Sequence, residues 1–419
     1  MSSSLASAPD PVARRVHAAL DRLAGDLPRL GIALSGGGDS VALLHLARGW
    51  ARGHRLMAAT VDHGLRPESA AEAHMAHRAA QALHIPHATL LWKRETEAGN
   101  LMAAARDARL RLLSGWAQRN DLSAILLGHT MDDQAETLLM RLGRGAGVDG
   151  LSGMAPSRSA FQMHWLRPML DVTRAELRDW LTARGIGWTD DPSNDNPDYD
   201  RVRIRKALAV LDLPAGQLAQ SAANLAMARD ALQEFAVQTA EGAEAAQGAL
   251  VLPLTGFRRA PLEIRRRLLV AGLRWINGSD YPPRREALLH ALTAINTGAR
   301  ITLDGAIAEP RGDRLRLIRE PAAAARAVAR ADAQGEVLWD GRWQLCGLTR
   351  GQQVRALGHE ALPGLNWRLS GLTRDEAAAS PAVWSDATLI AAPLLKPHPR
   401  IQAAALREIQ HFRSLLYQH

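Results

Sequence analysis

The run Ser35-Gly36-Gly37-Gly38-Asp39-Ser40 directly follows the apolar stretch Gly31-Ile32-Ala33-Leu34. A strand that empties into glycines and then into Asp-Ser, at the start of a helical pattern, is a phosphate cradle. Successive backbone N–H groups and a helix N-terminus there point at one anion. The hydroxyls of Ser35 and Ser40 add donors. Asp39 repels a phosphate and suits Mg²⁺, or the orientation of donors within the loop, instead. No Gly-Lys-Ser/Thr follows the glycines, so the run is not a Walker A box, and its spacing is not that of a dinucleotide fold. A helix cap after a tight turn would need no ligand, but this run after a strand is uncommon and favours one.

The densest cluster is Gly128-His129-Thr130-Met131-Asp132-Asp133-Gln134-Ala135-Glu136-Thr137. Asp133 and Glu136 are three apart and share a helix face. Carboxylates at a helix start offset the macrodipole, and Thr130 with Asp133 forms a capping box of sorts. Capping needs one or two polar groups, however, and here four stand beside a histidine. His129, Asp132, Asp133 and Glu136, with Asp39, are the catalytic candidates. Hard oxygen donors near a phosphate loop suggest Mg²⁺, with Asp39, Asp132 and Asp133 as its candidate ligands.

Further polar groups follow the same edge. Asp62-His63-Gly64-Leu65-Arg66 closes a second strand, and His63 there either donates to a phosphate or carbonyl or packs as a turn residue. Arg106 and Arg109 are three apart on a helix, a spacing that a solvated face also produces. The acidic loop Asp190-Asp191-Pro192-Ser193-Asn194 gives way to Arg201, Arg203, Arg205 and Lys206, which suit nucleic-acid phosphates or neutralise the loop. Arg258-Arg259 and Arg265-Arg266-Arg267 form a second basic patch. Without interleaved aromatics it reads as a phosphate-backbone contact or a solvated face.

The elements that position these groups alternate. Strands are expected at 31–34, 56–61, 87–92 and 124–127, with helices at 11–25, 41–50, 68–83, 101–118 and 132–142. Strands alternating with helices of ten or more residues imply a parallel sheet covered on both faces, with ligands beyond the carboxyl ends of its strands. Gly36–Ser40, Asp62–Arg66 and His129–Glu136 all fall at such ends. The glycine-rich 143–154 reads as a mobile or tightly turned loop, and 173–183 as a helix with Thr173 and Glu176 in a capping box. From about residue 213 the pattern becomes helical: 218–248 reads as one long or broken helix, with more at 262–275 and 284–293. Short strands are expected at 301–303 and 314–318, an alanine-rich linker at 322–331, and a small mixed region to the end with a last helix near 403–416.

With 419 residues the chain is too long for one core. Its net charge of +8 and pI of about 10.5 come from arginine, since Lys93, Lys206 and Lys396 are the only lysines. Such a charge is compatible with a nucleic-acid partner. The single cysteine, Cys346, excludes a disulfide framework or multi-cysteine cluster and reads as a buried strand residue in a reducing, cytoplasmic setting. No apolar run reaches membrane-spanning length.

The motifs resemble the PP-loop of the N-type ATP pyrophosphatases and, within them, the tRNA(Ile)-lysidine synthase family. The matching signatures are Ser35–Ser40, Val61–Arg66, Ala103-Ala104-Ala105-Arg106, Gly128–Thr137, Leu139–Leu142, Arg144-Gly145, Arg167-Pro168 and Asp191–Asn194. The resemblance covers about residues 30–206. The family's Leu-Glu-Ala-Ala-Ala-Arg carries Met102 in place of the glutamate here, and its later Arg-Asn pair is Arg201-Val202.

The resemblance implies an α/β PP-loop catalytic domain (1–212), a mainly helical tRNA-binding domain (213–320) and a small α+β C-terminal tRNA-binding domain (335–419). It implies an ATP-dependent ligase that adenylates the C2 oxygen of the wobble cytidine in CAU-anticodon tRNA(Ile). Free L-lysine then attacks C2 and expels AMP. Ser35, Gly36, Gly37, Gly38, Asp39, Ser40, Asp62 and His63 would hold the nucleotide. Arg106, Arg109, Arg201, Arg203, Arg205 and Lys206 would hold nucleotide or tRNA phosphates. No membrane and no obligate protein partner is implied. A cytidine thiolase of the same fold would need more cysteines, and an inactive RNA-binding derivative would have no need of Asp132, Asp133 and Glu136. The basic later domains disfavour an enzyme acting on a free metabolite.

Overall fold

The computed structural model describes residues 10–51, 53–64, 69–93, 101–189, 200–279 and 281–417, without the side chains of 101–103. Leu65, Arg66, Asp190–Asn194 and the side chain of Met102 lie outside the described residues. The chain divides into two compact units, Met1–Arg229 and Asp230–His419.

The first unit follows the expected alternation. In order come α1 (Pro11–Ala24), β1 (Arg29–Ala33), α2 (Gly38–Trp50), β2 (Arg55–Asp62), α3 (Ser69–Ala82), β3 (His87–Leu91), α4 (Leu101–Arg119) and β4 (Ala124–Leu126). Then follow α5 (Met131–Leu142), α6 (Val148–Leu151), β5 (Ser157–Ala160), β6 (Met163–Leu166), α7 (Arg174–Thr182), α8 (Asp200–Val210) and α9 (Ala215–Thr239), whose residues from Asp230 on belong to the second unit. The strands form one sheet in the order β3-β2-β1-β4-β6-β5, parallel except at the β5 edge. That antiparallel edge is a hairpin whose turn residues, Phe161 and Gln162, both take positive φ. Such turns favour Asn-Gly or Asp-Gly, so Phe-Gln gave no turn signal.

Both faces of the sheet are covered by apolar side chains. On one, Leu30 and Ile32 of β1 meet Val16, Leu20, Leu43, Leu44, Leu177 and Leu181 from α1, α2 and α7. On the other, Ile125 and Trp165 meet Leu113 and Trp116 of α4. Gly31 lies under that second layer, where an added Cβ would stand 2.8 Å from the Trp116 ring. The chain runs from β1 outward through β2 and β3, then returns to place β4 on the other side of β1. The carboxyl ends of β1 and β4 therefore flank a topological switch point, where open α/β sheets bind ligands.

The 143–154 segment is fastened down. It includes the helical turn α6, and Arg141 Nη1 donates to the carbonyls of Gly150 (2.7 Å) and Gly153 (3.0 Å). The Gln134 amide also pairs with the backbone of Met154 in both directions.

The second unit holds more strand than its alanine-rich sequence suggests. The expected helix of 218–248 stops at Thr239, and Glu244–Ala246 instead starts a five-stranded antiparallel sheet with Ala249–Pro253, Arg314–Arg319, Ala306–Arg311 and Ile301–Leu303. Gly242 and Gly248, both at positive φ, turn the chain on either side of that first strand. Helix Leu262–Asn277 packs on this sheet, and Arg267 within it is fully buried with Nε 3.0 Å from Glu263 Oε1. Arg266 also pairs with Glu263, so part of the Arg265–Arg267 patch is neutralised within its own helix. The alanine-rich 322–331 is packed structure rather than linker, with Ala323 and Ala324 buried in the turn Pro321–Ala324. Two small sheets follow, of four and three strands. Cys346 lies on strand Trp343–Cys346 as expected, but Trp343 and Leu345 take the inward positions and leave it half-buried. No helix among the described residues is long and apolar enough to cross a membrane.

Candidate active site

The cradle forms where β1 ends. Gly36 turns the chain at φ +87°, and its carbonyl accepts the N–H of Thr189 at 3.0 Å. Gly37 caps α2 with no side-chain hydrogen bond, leaving that helix start to backbone donors. Ser40 ties the loop shut: its Oγ donates to the Gly37 carbonyl (2.9 Å) and accepts from Ser35 N (3.2 Å) and Ser35 Oγ (3.1 Å). A Cβ on Gly38 would stand 3.3 Å from the Trp188 ring. One on Gly128, at the end of β4, would stand 3.2 Å from the Asp39 carbonyl. These glycines let β4 and residue 188 close on the cradle.

Helices α5 and α7 both begin at this edge, each with a capping box, Thr130/Asp133 and Thr173/Glu176. A backbone bridge from Thr130 to Met169, and the bond from Met131 N to Val172 O, bring the two starts together. Asp133 Oδ2 accepts Thr130 N at 2.8 Å, while Asp132 Oδ2 accepts Arg174 N at 2.7 Å and so caps the other helix.

Arg174 stands at the centre of the acidic groups. Its Nε is 3.2 Å from Asp39 Oδ2, its Nη2 3.4 Å from Asp133 Oδ1 and its Nη1 3.4 Å from Glu136 Oε1. Glu136 is 1% exposed, and its Oε1 also accepts from Arg205 Nε at 3.1 Å, while its Oε2 has no partner. Burial raises the Asp39 pKa; Arg174 opposes that rise, and Asp133 and Asp132 add to it. The four carboxylates raise the Arg174 pKa, so its guanidinium stays charged.

His129 is neutral. Burial depresses its pKa to about 4, and its Nδ1 accepts from Arg167 Nε at 3.2 Å. An imidazole accepting at Nδ1 carries its proton at Nε2, which is therefore a donor. Burial and its arginine neighbours lower the Arg167 pKa to about 10. Arg158 and Arg106 act on Arg141 and Arg167, Arg201 acts on Arg106, and Arg109 acts on His129 and His63. Each of these pKa values is lowered, first by burial and then by the neighbouring arginine charges.

A PP-loop domain model matches residues 10–211. The tRNA(Ile)-lysidine synthase of Ruegeria pomeroyi is 48% identical over 374 residues, covering 87% of this chain and 88% of the relative. That of Rhodopseudomonas palustris is 38% identical over 316 residues, 70% of this chain and 91% of the relative. The chain belongs to the tRNA(Ile)-lysidine synthase family. Among solved structures, the U34-tRNA thiolase NcsA from Methanococcus maripaludis aligns at 16% identity with a TM-score of 0.44, over 51% of this chain and 77% of that one.

In this member of the tRNA(Ile)-lysidine synthase family, the cradle residues Ser35–Ser40 and the acidic residues Asp132, Asp133 and Glu136 share one edge through Asp39 and Arg174. Asp62 sits at the end of β2, where its Oδ1 accepts Gly64 N at 2.9 Å in a local turn. His63 packs edge-on to Trp92 with its buried Nδ1 unpartnered. Arg205 lies on the acidic cluster. Arg203 and Arg144 both pair with Asp200, and Lys206 is exposed. Val202 is buried in α8.

Sequence reasoning gave no role to Arg141, Arg158, Arg167 or Arg174. For Arg174 a signal was available: a cation at the first position of a helix opposes the macrodipole and implies an anionic partner. The donors also fit Mg²⁺, which takes one or two carboxylates plus phosphate oxygens and water. The bonds above use Oδ2 of Asp39 and of Asp132, and no group of three His, Cys, Asp or Glu among the described residues could hold a metal alone.

Proposed function

We propose that the chain joins free L-lysine to C2 of the wobble cytidine of CAU-anticodon tRNA(Ile), consuming ATP and releasing AMP and pyrophosphate. The observation that carries this reading is Glu136 beside the cradle, nearly wholly buried with one oxygen unpartnered. A buried carboxylate oxygen without a donor is costly, and an arriving amine supplies both donor and counter-charge. The names of the relatives support the tRNA.

In the first step, N–H groups of Gly36–Asp39 hold the ATP phosphates. The cytidine C2 oxygen attacks the α-phosphorus, and the bond to the β-phosphate oxygen breaks. His129 Nε2–H, near Asp133, and Arg167, bonded to His129 Nδ1, balance the charge that develops on phosphate oxygens. Mg²⁺, when bound by Asp39 and Asp132, supplies further neutralisation of those oxygens. In the second step, a carboxylate among Asp132, Asp133 and Glu136 takes a proton from the lysine ε-amine. The amine forms the C–N bond at C2, the C2–O bond breaks, and AMP leaves with the oxygen. The arginines Arg106, Arg109, Arg158 and Arg201 meet tRNA phosphates, and residues 213–320 and 335–419 grip the rest of the tRNA.

The test is an incubation of the purified protein with Mg²⁺, ATP, radiolabelled lysine and a CAU-anticodon tRNA(Ile) transcript. Label entering the tRNA only with ATP supports the proposal. AMP release without label points to another nucleophile, and no nucleotide turnover overturns it.

A further inference from the structure

Four carboxylates, of Asp39 at the start of α2 and of Asp132, Asp133 and Glu136 in α5, concentrate negative charge that attracts divalent cations, although no three of them among the described residues form a metal site alone. Instead, one guanidinium reaches three of them. Each Arg174 nitrogen takes an oxygen from a different residue, Asp39, Asp133 or Glu136, and the Arg174 N–H binds the fourth, Asp132. The side chain is 17% exposed and is held at the first turn of a helix capped by Thr173 and Glu176. Its planar fork suits several carboxylates at fixed angles, which an ammonium does not. The unpartnered Glu136 Oε2 shows that even this arrangement leaves acceptor capacity in the cluster.

We propose that Arg174 is a positioning residue that serves as the resident counter-cation of the acidic cluster, keeping a free divalent ion out until nucleotide phosphates arrive. This rests on the functional reading above for its purpose and on the geometry alone for its chemistry. With Arg174 in place, a metal ion must compete with a fixed positive charge for Asp39 Oδ2. With a nucleotide in the cradle, phosphate oxygens add the ligands and negative charge that tip the competition. Arg174 thereby couples metal binding to nucleotide binding.

The test measures Mn²⁺ binding by electron paramagnetic resonance on the full chain without nucleotide, for wild type, Arg174→Gln, Arg174→Lys and the double variant Arg174→Gln with Asp39→Asn. Arg174→Gln is expected to bind Mn²⁺ at least about tenfold more tightly than wild type, since oxygen-ligand affinity follows ligand charge. Arg174→Lys should fall between them, and the added Asp39→Asn should abolish the gain. Equal Mn²⁺ affinity in wild type, Arg174→Gln and Arg174→Lys would overturn the proposal. If Arg174→Gln does not fold, Arg174→Lys alone decides, tighter than wild type for the proposal and unchanged against it. No catalytic turnover enters this readout, so failure of the lysine reaction leaves it standing, and its own failure leaves the reaction intact.

Discussion

With Glu136 as the carboxylate that takes the lysine proton, the proposed reaction predicts that Glu136→Gln separates its two half-reactions. The amide keeps the shape of the side chain but accepts no proton and carries no charge. Two guanidinium contacts weaken, at 3.1 Å to Arg205 and 3.4 Å to Arg174. Charged hydrogen bonds contribute about 1.5–3 kcal/mol and neutral ones about 1, so each contact loses roughly 1 kcal/mol. The second contact is long, and the unpartnered Oε2 no longer holds a buried charge, so the net cost in stability should stay below about 2 kcal/mol. Removal of a general base costs about 10²–10⁴ in rate, equivalent to roughly 3–5 kcal/mol of barrier. Rapid-quench assays should therefore show tRNA-dependent pyrophosphate release near the wild-type rate, with lysine incorporation slower by at least about a hundredfold. Wild-type lysine incorporation by Glu136→Gln would refute this reasoning. So would an equal fall in both steps, which would place Glu136 before the amine attack.

Three further perturbations follow from the geometry. Ser40→Ala removes the hydroxyl that ties Ser35 to Gly37, at a cost of about 1–3 kcal/mol, and should raise the KM for ATP in pyrophosphate exchange; an unchanged KM contradicts the cradle. Gly128→Ala drives a Cβ against the Asp39 backbone, and overpacking of about 1–3 kcal/mol should lower both the melting temperature and ATP affinity. An unshifted melting temperature counts against that close approach. His129 titrates at about 4 in the fold and near 6.5 when unfolded. Between those values the unfolded chain takes up a proton that the fold refuses, so stability present above about 6.5 falls as pH drops toward 4, by up to about 1.4 kcal/mol per unit. Urea midpoints should fall from pH 7 to pH 5, and less so in His129→Gln; identical slopes in the two proteins would contradict a buried neutral histidine.

Much of this was legible in the chain because local signals agreed with tertiary structure. The Ser35–Ser40 run follows a β-strand whose apolar residues are buried on both sides, and the capping boxes at Thr130 and Thr173 are local hydrogen-bond patterns. Arg174 was harder, because its partners lie 38, 41 and 135 positions away and only the fold brings them together. The hairpin at Phe161-Gln162 lacked turn residues, and the strand Glu244–Ala246 is made of helix-favouring types. In both, tertiary pairing overrode local preference.

The most direct measurement follows one oxygen atom. A CAU-anticodon tRNA(Ile) transcript carrying ¹⁸O at C2 of the wobble cytidine is incubated with the protein, Mg²⁺, ATP and lysine, and the AMP is examined by mass spectrometry. Adenylation of the base predicts one ¹⁸O in each AMP released, with none in pyrophosphate, and a tRNA that has lost the label and gained lysine. AMP free of ¹⁸O, with the label retained in the tRNA, would contradict activation of the cytidine.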